Sequence, residues 1–182
     1  MKIRAITGND SRNYLDLCKK LDRETKFMLY EPDERTLTVD EQENRIQSLL
    51  SNENSMIFVA EDNGELVGYL GAYGGNVQRI KHRVHIVVGI VQAYVGRGIG
   101  TELFHELEKW SIQVGIHRME LTVMAHNEIG LALYKKMGFS IEGIARDSMF
   151  VDGKYVDEYY MAKILPKVKN GKQLEGKFTM ND

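Results

Sequence analysis

HIVVGIVQAYVGRGIGTELFHELEKW (residues 85–110) is the stretch from which the rest of the chain can be read. It begins as a near-continuous apolar run, the pattern of a strand buried on both faces. Gly96, Gly98 and Gly100 follow, and then an amphipathic segment. The spacing predicts a helix from Gly98 to Val114, with Ile99, Leu103, Leu107, Trp110 and Val114 as its buried stripe. Glycines so close together cost backbone entropy, so a reason for them is expected. They let backbone N–H groups converge on one concavity. The first turn of a helix adds its unpaired N–H groups and the positive end of its dipole. A phosphate fits there without a lysine. Arg97 can add a charge from the rim, although an exposed arginine is the plainer reading.

Three phosphates compete for such a turn. A dinucleotide wants G-x-G-x-x-G directly after the first strand of a βαβ unit. Gly96 and Gly98 match, but Thr101 stands where the third glycine belongs, and the strand is the fourth in order. A nucleoside triphosphate wants G-x-x-x-x-G-K-[ST], and no lysine follows Gly100. The pyrophosphate of coenzyme A asks for neither feature. On the turn alone, a glycine-rich connection with no ligand also stays open.

Working outward, HRVHIVVGIV (82–91) is the central strand. Upstream, SMIFVAED (55–62) and ELVGYLGAYGG (65–75) are strands joined by Asn63-Gly64, a strong hairpin signal. KIRAIT (2–7) alternates like a short strand. SRNYLDLCKKLDRET (11–25) and DEQENRIQSLLSNEN (40–54) read as helices, the first with Leu17, Cys18 and Leu21 on one face. FMLYEPDER (27–35) is a loop broken at Pro32. Downstream come the strand MELTVMA (119–125) and a helix from Glu128 to Met137, capped by Asn127 and Gly138. The strands FSIEGIAR (139–146) and YVDEYYMAKIL (155–165) close the series. The order predicts a mixed α/β domain, helices packed on a sheet, over residues 1–165. Residues 166–182 lose their periodicity and are expected to form a mobile tail.

The bulk numbers set outer limits. A chain of 182 residues, 43% hydrophobic and 27% charged, is ordinary for one globular domain. A net charge of −2 gives no field favouring nucleic acid or an anionic membrane. The single cysteine, Cys18, excludes an internal disulfide framework and fits a reducing compartment. The N-terminal MKIRAITGND has no signal-peptide core, and no apolar run is long enough to span a bilayer. A cytoplasmic location is therefore expected.

HNEIGLALYKKMGF (126–139) supplies a second constellation. On a helix, Asn127 and Tyr134 are seven residues apart and share a face. Ile129, Leu133 and Met137 run along a neighbouring core face, which sets Tyr134 beside the core stripe. Taken alone, Tyr134 reads as a half-buried packing tyrosine.

Together the two stretches resemble the GNAT superfamily of N-acetyltransferases. IVQAYVGRGIGTEL (90–103) is similar to its acetyl-CoA motif, a central strand running into [QR]-x-x-G-x-[GA] and a helix. LTVMAHNEIGLALYKKMGF (121–139) is similar to its next motif, a strand followed by N-x-x-A-x-x-L-Y-x-x-x-G-F. EGIARDSMFVDGKYVDEYYMAKIL (142–165) also resembles acetyltransferases of this group, and the likeness runs from about residue 2 to 165. Two positions depart from the pattern. Val95 stands where Gln or Arg is usual, which leaves a backbone cradle intact. Gly130 replaces the usual Ala, at about 1 kcal/mol to that helix. The resemblance implies a single-domain fold with a central, mostly antiparallel, twisted sheet of about seven strands flanked by about four helices.

It also implies an acetyl-CoA-dependent N-acetyltransferase, in which a substrate amine attacks the thioester carbonyl. Backbone groups of Ile90 and Val91, with Gln92 beside them, would bind the pantetheine arm as an added strand would. An N–H there would polarise the carbonyl. N–H groups of Gly96, Arg97, Gly98, Ile99, Gly100 and Thr101 would hold the pyrophosphate. Asn127 would hydrogen-bond the cofactor arm, and Tyr134 would protonate the departing thiolate. A thiol near 8.5 and a tyrosine near 10 differ by ~1.5 pKa units, roughly 2 kcal/mol. An alkylamine near 10.4 is only about 1 in 2,500 neutral at pH 7, a deficit of roughly 4.6 kcal/mol; for an α-amine near 8 it is about 1.4 kcal/mol. A base is therefore wanted. The family often uses a carboxylate on the central strand, and HRVHIVVGIVQ has none. His85 is the titratable residue on that strand, and a packed or surface histidine is its plainer reading. Glu31, in the loop that borders the acceptor site in the family, is a second candidate. Asp157 and Glu158 are others.

Cys18 reads as a small core residue rather than a nucleophile. The five histidines show no metal-ligand spacing, since His82 and His85 fall on opposite faces of a strand, so no metal is expected. Arg79, Lys81, His82 and Arg83 form a basic patch, either a solvated loop or a contact for coenzyme A phosphates or an acidic substrate. Three functions follow: acetylation of a small-molecule or peptide amine, acetylation of a protein N-terminus or lysine, or acyl-CoA sensing without catalysis. The sequence does not choose among acceptors, nor between monomer and homodimer.

Overall fold

The computed structural model describes residues 1–166. The expected tail therefore lies, but for Pro166, outside the described residues. A first strand, β1 (Lys2–Ala5), precedes two helices, α1 (Ser11–Glu24) and α2 (Val39–Leu50). Then come β2 (Met56–Asp62), β3 (Glu65–Gly74) and β4 (Arg83–Ile90). Helix α3 (Ile99–Gln113), β5 (Arg118–Met124) and α4 (Glu128–Lys136) follow, and the hairpin of β6 (Ser140–Val151) and β7 (Lys154–Ile164) ends the series. The seven strands make one sheet in the order β1-β2-β3-β4-β5-β7-β6. Every neighbouring pair is antiparallel except β4 with β5, which is the family-like architecture expected from the motifs.

The sheet buries both faces where β3 and β4 lie. Val84 and Ile86 point to one face, against Leu103, Phe104 and Leu107 of α3. Val87 and Tyr69 point to the other, against Leu17, Cys18 and Leu21 of α1 and Ile46 of α2. That is why the strand reads as a continuous apolar run. Gly89 lets α1 approach closely, since a Cβ there would lie 2.6 Å from the Leu21 side chain.

Two stripes differ from expectation. In α3, Val114 stands 41% exposed because the helix has ended and Gly115 turns the chain with φ +79°; Gly100, Phe104 and Ser111 are the additional buried residues. In α4, Ile129 is 66% exposed, while Tyr134 is in the core, edge-on to Phe104 at 5.9 Å. The last hairpin is longer than its alternation suggested. Asp152 (φ +51°) and Gly153 (φ +76°) form its turn, the same left-handed pair as Asn63 and Gly64 between β2 and β3. Helix α2 begins at a reciprocal capping box, Thr38 with Glu41.

Candidate active site

β4 and β5 pair only over Arg83–His85 and Arg118–Glu120, and then diverge. His85 is the last residue of β4 before the fork. The Val91 N–H donates to the Val67 carbonyl at 3.0 Å, so the odd-numbered residues of β4 turn their backbone groups toward β3. By the same alternation Val88 and Ile90 turn theirs into the gap, where no described strand pairs with them. An extended amide-bearing ligand can therefore add to β4 as a strand would. The cleft that runs through this fork has a volume of about 870 Å³ and reaches both faces of the sheet.

One end of the cleft is backbone. Gly96 (φ +81°) and Gly98 (φ +85°) are left-handed, and a Cβ at either would meet nothing within 4 Å. Their constraint is conformational, because L side chains disfavour that region. Gly98 caps α3 with no side-chain hydrogen bond. The N–H groups of the first helical turn therefore remain free for an anion. Gly100 meets a different demand: a Cβ there would lie 2.7 Å from Leu133 Cδ2, so glycine lets α4 close on the head of α3. Lys136 lines the cleft at the same end and donates from Nζ to Thr101 Oγ1 at 3.2 Å.

Helix α4 contributes two side chains. Asn127 Oδ1 accepts the Gly130 N–H at 2.9 Å, which caps the helix and leaves Nδ2 to donate elsewhere. Gly130 leaves room for that cap, since a Cβ would come within 2.8 Å of Nδ2. Tyr134 lines the cleft with no hydrogen-bond partner among the described residues. Burial pushes its hydroxyl up to about 12. The gap to a thiol near 8.5 thus widens to ~3.5 units, roughly 5 kcal/mol, against the 2 kcal/mol expected from sequence. Tyr134 is a donor that stays protonated, suited to hydrogen-bonding a sulfur anion as it forms.

The other end of the cleft is made of side chains. Tyr14 and Cys18 from α1, Tyr69 from β3, and Phe27 and Tyr30 from the loop after α1 line it. Burial pushes the Cys18 thiol up to about 11, the state of a packed thiol and not of a nucleophile. Three polar side chains also reach this end: Arg35, Gln42 and Arg45. Arg35 donates from Nε and Nη2 to Asp22 at 2.7 and 3.1 Å, and its guanidinium sits 4.4 Å over the Tyr30 ring. This pair ties the loop to α1.

The fork, the turn and α4 bring together Ile90, Gln92, Gly96, Gly98, Ile99, Gly100, Thr101, Asn127, Tyr134 and His85 along one cleft. Val91 faces β3 with its N–H, and the Gln92 N–H donates to Glu24 at 2.8 Å. Arg97 lies outside the cleft lining, stacked at 4.8 Å over Tyr94. Glu31 is not brought to the cleft either; it lines an adjoining one of about 380 Å³. Glu158 lines the main cleft and accepts from Ser148 Oγ at 2.7 Å, whereas Asp157 accepts the Asp147 N–H at 2.9 Å. None of Arg79, Lys81, His82 and Arg83 lines it, and Arg83 pairs with Glu120 at 3.3 Å. Among the described residues no cluster could hold a metal, and no helix is long and apolar enough to cross a membrane. Reading the sequence missed Lys136, Arg35, Gln42 and Arg45. A signal existed for the last two: Gln42, Arg45, Ile46 and Leu49 share the i, i+3, i+4, i+7 stripe of α2, and two of the four are polar.

Known proteins share this fold and parts of this sequence. The chain is 34% identical over 110 residues to the L-amino acid N-acetyltransferase AaaT of Escherichia coli (strain K12), a match covering 58% of this chain and 66% of that one. It spans 55–66% of the length of the curated relatives it matches. An acetyltransferase of the GNAT family from Streptococcus pneumoniae superposes with a TM-score of 0.87 at 28% identity, covering 91% of this chain and 99% of that one. A GNAT superfamily phosphinothricin acetyltransferase from Sinorhizobium meliloti, solved in complex with AcCoA, shares the fold with a TM-score of 0.80 at 21% identity, covering 96% and 94%. The profile of the acetyltransferase (GNAT) family matches residues 16–139, which hold the glycine turn, the fork and Tyr134, and the chain belongs to that family.

Proposed function

We propose that this protein transfers the acetyl group of acetyl-CoA to a primary amine of a small molecule or peptide by direct attack on the thioester. The observation that carries the reading is one cleft joining three features: an unpaired edge of β4, the free head of α3 and the hydroxyl of Tyr134. Each matches one part of the donor. The edge at Val88 and Ile90 pairs with the amides of the pantetheine arm, and an N–H there stabilises the carbonyl oxygen as it becomes negative. The N–H groups at the head of α3, with Lys136 beside them, hold the pyrophosphate. Asn127 Nδ2 hydrogen-bonds the arm.

The acceptor enters from the α1–α2 face. His85, at the fork, takes the amine proton directly or through a water, and Glu158 is the carboxylate next in line on the same face. The amine nitrogen bonds to the carbonyl carbon, the C–S bond breaks, and the sulfur accepts the Tyr134 proton, which solvent replaces. Release of free thiol from acetyl-CoA over a panel of amines tests the proposal. Turnover above hydrolysis with at least one amine is expected. Tight acetyl-CoA binding with no turnover would favour an acyl-CoA sensor.

A further inference from the structure

We infer that Glu158 is the counter-ion that receives the acceptor's ammonium group, and that Ser148, delivered by a β-bulge, is its positioning residue. The inference rests on the acetyl-transfer reading above and deepens it. A primary alkylamine, with a pKa near 10.4, reaches the cleft as a cation at pH 7. Among the described residues Glu158 is the one carboxylate that lines the cleft, and it enters no ion pair there. Strand register fixes its place. His85 pairs with Glu120 across the β4–β5 fork, and Met124 pairs with Glu158 across β5 and β7. Residues directly opposite share a face, as do alternate residues of one strand. His85 and Glu158 therefore face the same side of the sheet, away from α3. Counting on from His85 sets Met124, and with it Glu158, level with Gly89. That level falls between Val88 and Ile90, whose backbone groups open on the gap. An ammonium held there lies beside the expected thioester, with His85 toward the vertex of the fork.

The last hairpin is bent to hold this carboxylate. β6 and β7 are in register at Ala145 with Glu158 and again at Met149 with Val156, so Arg146, Asp147 and Ser148 all stand opposite Asp157. Such a bulge re-aims side chains. Asp147 takes φ +51°, uncommon for a residue with a side chain, and its N–H donates to Asp157 Oδ1 at 2.9 Å. Ser148 Oγ then donates to Glu158 Oε2 at 2.7 Å. That bond orients the carboxylate and leaves Oε1 to accept a charge-assisted hydrogen bond from the ammonium. Met149, the next residue, lines the cleft with it. One ammonium proton passes to His85, directly or through a water, and the freed lone pair turns to the carbonyl carbon while an N–H stays on Glu158. A second proton leaves the nitrogen as the C–S bond breaks, which matches the proton that the sulfur takes up.

The experiment takes the amine of the panel with the highest kcat/KM, together with the alcohol that carries a hydroxyl in place of its ammonium. Thiol release is measured for the wild type, Glu158→Gln, Ser148→Ala and Ser148→Thr, with calorimetric binding of both compounds to the protein loaded with coenzyme A. The wild type is expected to bind the amine about tenfold more tightly than the alcohol. Glu158→Gln keeps the shape and removes the charge. It is expected to raise KM for the amine about tenfold and to bring the two affinities within about threefold, with KM for acetyl-CoA unchanged within about twofold. Ser148→Ala is expected to raise the same KM about threefold, and Ser148→Thr, which keeps the hydroxyl, to restore it. An unchanged amine KM in Glu158→Gln, or a wild type that binds the alcohol as well as the amine, would overturn the ammonium site and leave acetyl transfer standing. A loss in Ser148→Ala that Ser148→Thr does not restore, or that extends equally to acetyl-CoA, would overturn the positioning role. No turnover of any amine, with coenzyme A bound, would count against acetyl transfer itself, and the inference would fall with it.

Discussion

The two ends of the cleft are built from different material. At the head of α3 the groups that would face the proposed donor are backbone N–H groups, set by Gly96 and Gly98 in left-handed conformations. Under α1 and α2 they are side chains drawn from two helices, two strands and a loop, and an ion pair between Asp22 and Arg35 holds the loop in place. A backbone site is written into a short local pattern and is insensitive to most neighbouring substitutions. A side-chain site can be rewritten one residue at a time. One fold can thus keep its donor while its acceptor changes.

The contrast can be broken from either end. The largest effect is expected at the acceptor end. Asp22 is almost fully enclosed and Arg35 nearly so. Asp22→Ala would leave that guanidinium without its carboxylate and lower the unfolding free energy by ~3 kcal/mol, read from urea denaturation. Acetyl-CoA affinity of the folded protein should not change. A loss under about 1 kcal/mol would mean that the pair does not anchor the loop.

Between the two ends stands Tyr134. Tyr134→Phe keeps the ring against Phe104 and removes no protein hydrogen bond. It is expected to lower kcat by ~100-fold and leave acetyl-CoA affinity within about twofold. An unchanged kcat would remove the hydroxyl from the chemistry. The pH profile sharpens the point. Burial raises this hydroxyl to about 12, so the proton-donating form persists to higher pH than in an exposed tyrosine. The wild-type rate should rise as the amine deprotonates and then level, with no fall due to Tyr134 below about pH 11.

The smallest of these effects is expected at the backbone end. Gly98→Glu imposes a left-handed side chain at about 1–2 kcal/mol and adds a negative charge beside the expected pyrophosphate. Together these predict acetyl-CoA binding weaker by ~30-fold, about 2 kcal/mol, in calorimetry. The fold should survive, because the new Cβ meets nothing within 4 Å. Intact affinity would mean that the turn does not seat the donor.

The parts legible in the sequence were those with short-range causes. Strand β4 announced itself because burial on both faces demands an unbroken apolar run. The Asn63-Gly64 turn did so because both residues take positive φ. Helix α4 was framed correctly, but Tyr134 was set at the edge of its stripe. Which side of a helix is buried depends on the partner surface, here Phe104 and Phe139, and not on the helix. Glu31 shows the same limit. The loop 25–37 is pinned by Arg35 to Asp22, and that anchor decides which of its side chains face the cleft.

By itself, then, the sequence determined the order of elements, the sheet's central strand, the glycine turn and the family to which they belong. Each follows from local periodicity or from a backbone conformation that few residues can adopt. Only the tertiary structure decided where β4 parts from β5, that Val88 and Ile90 rather than Val91 face the gap, and that Arg35, Gln42 and Arg45 reach one end of it. Those depend on strand register and on contacts between residues far apart in the chain, which no local pattern encodes.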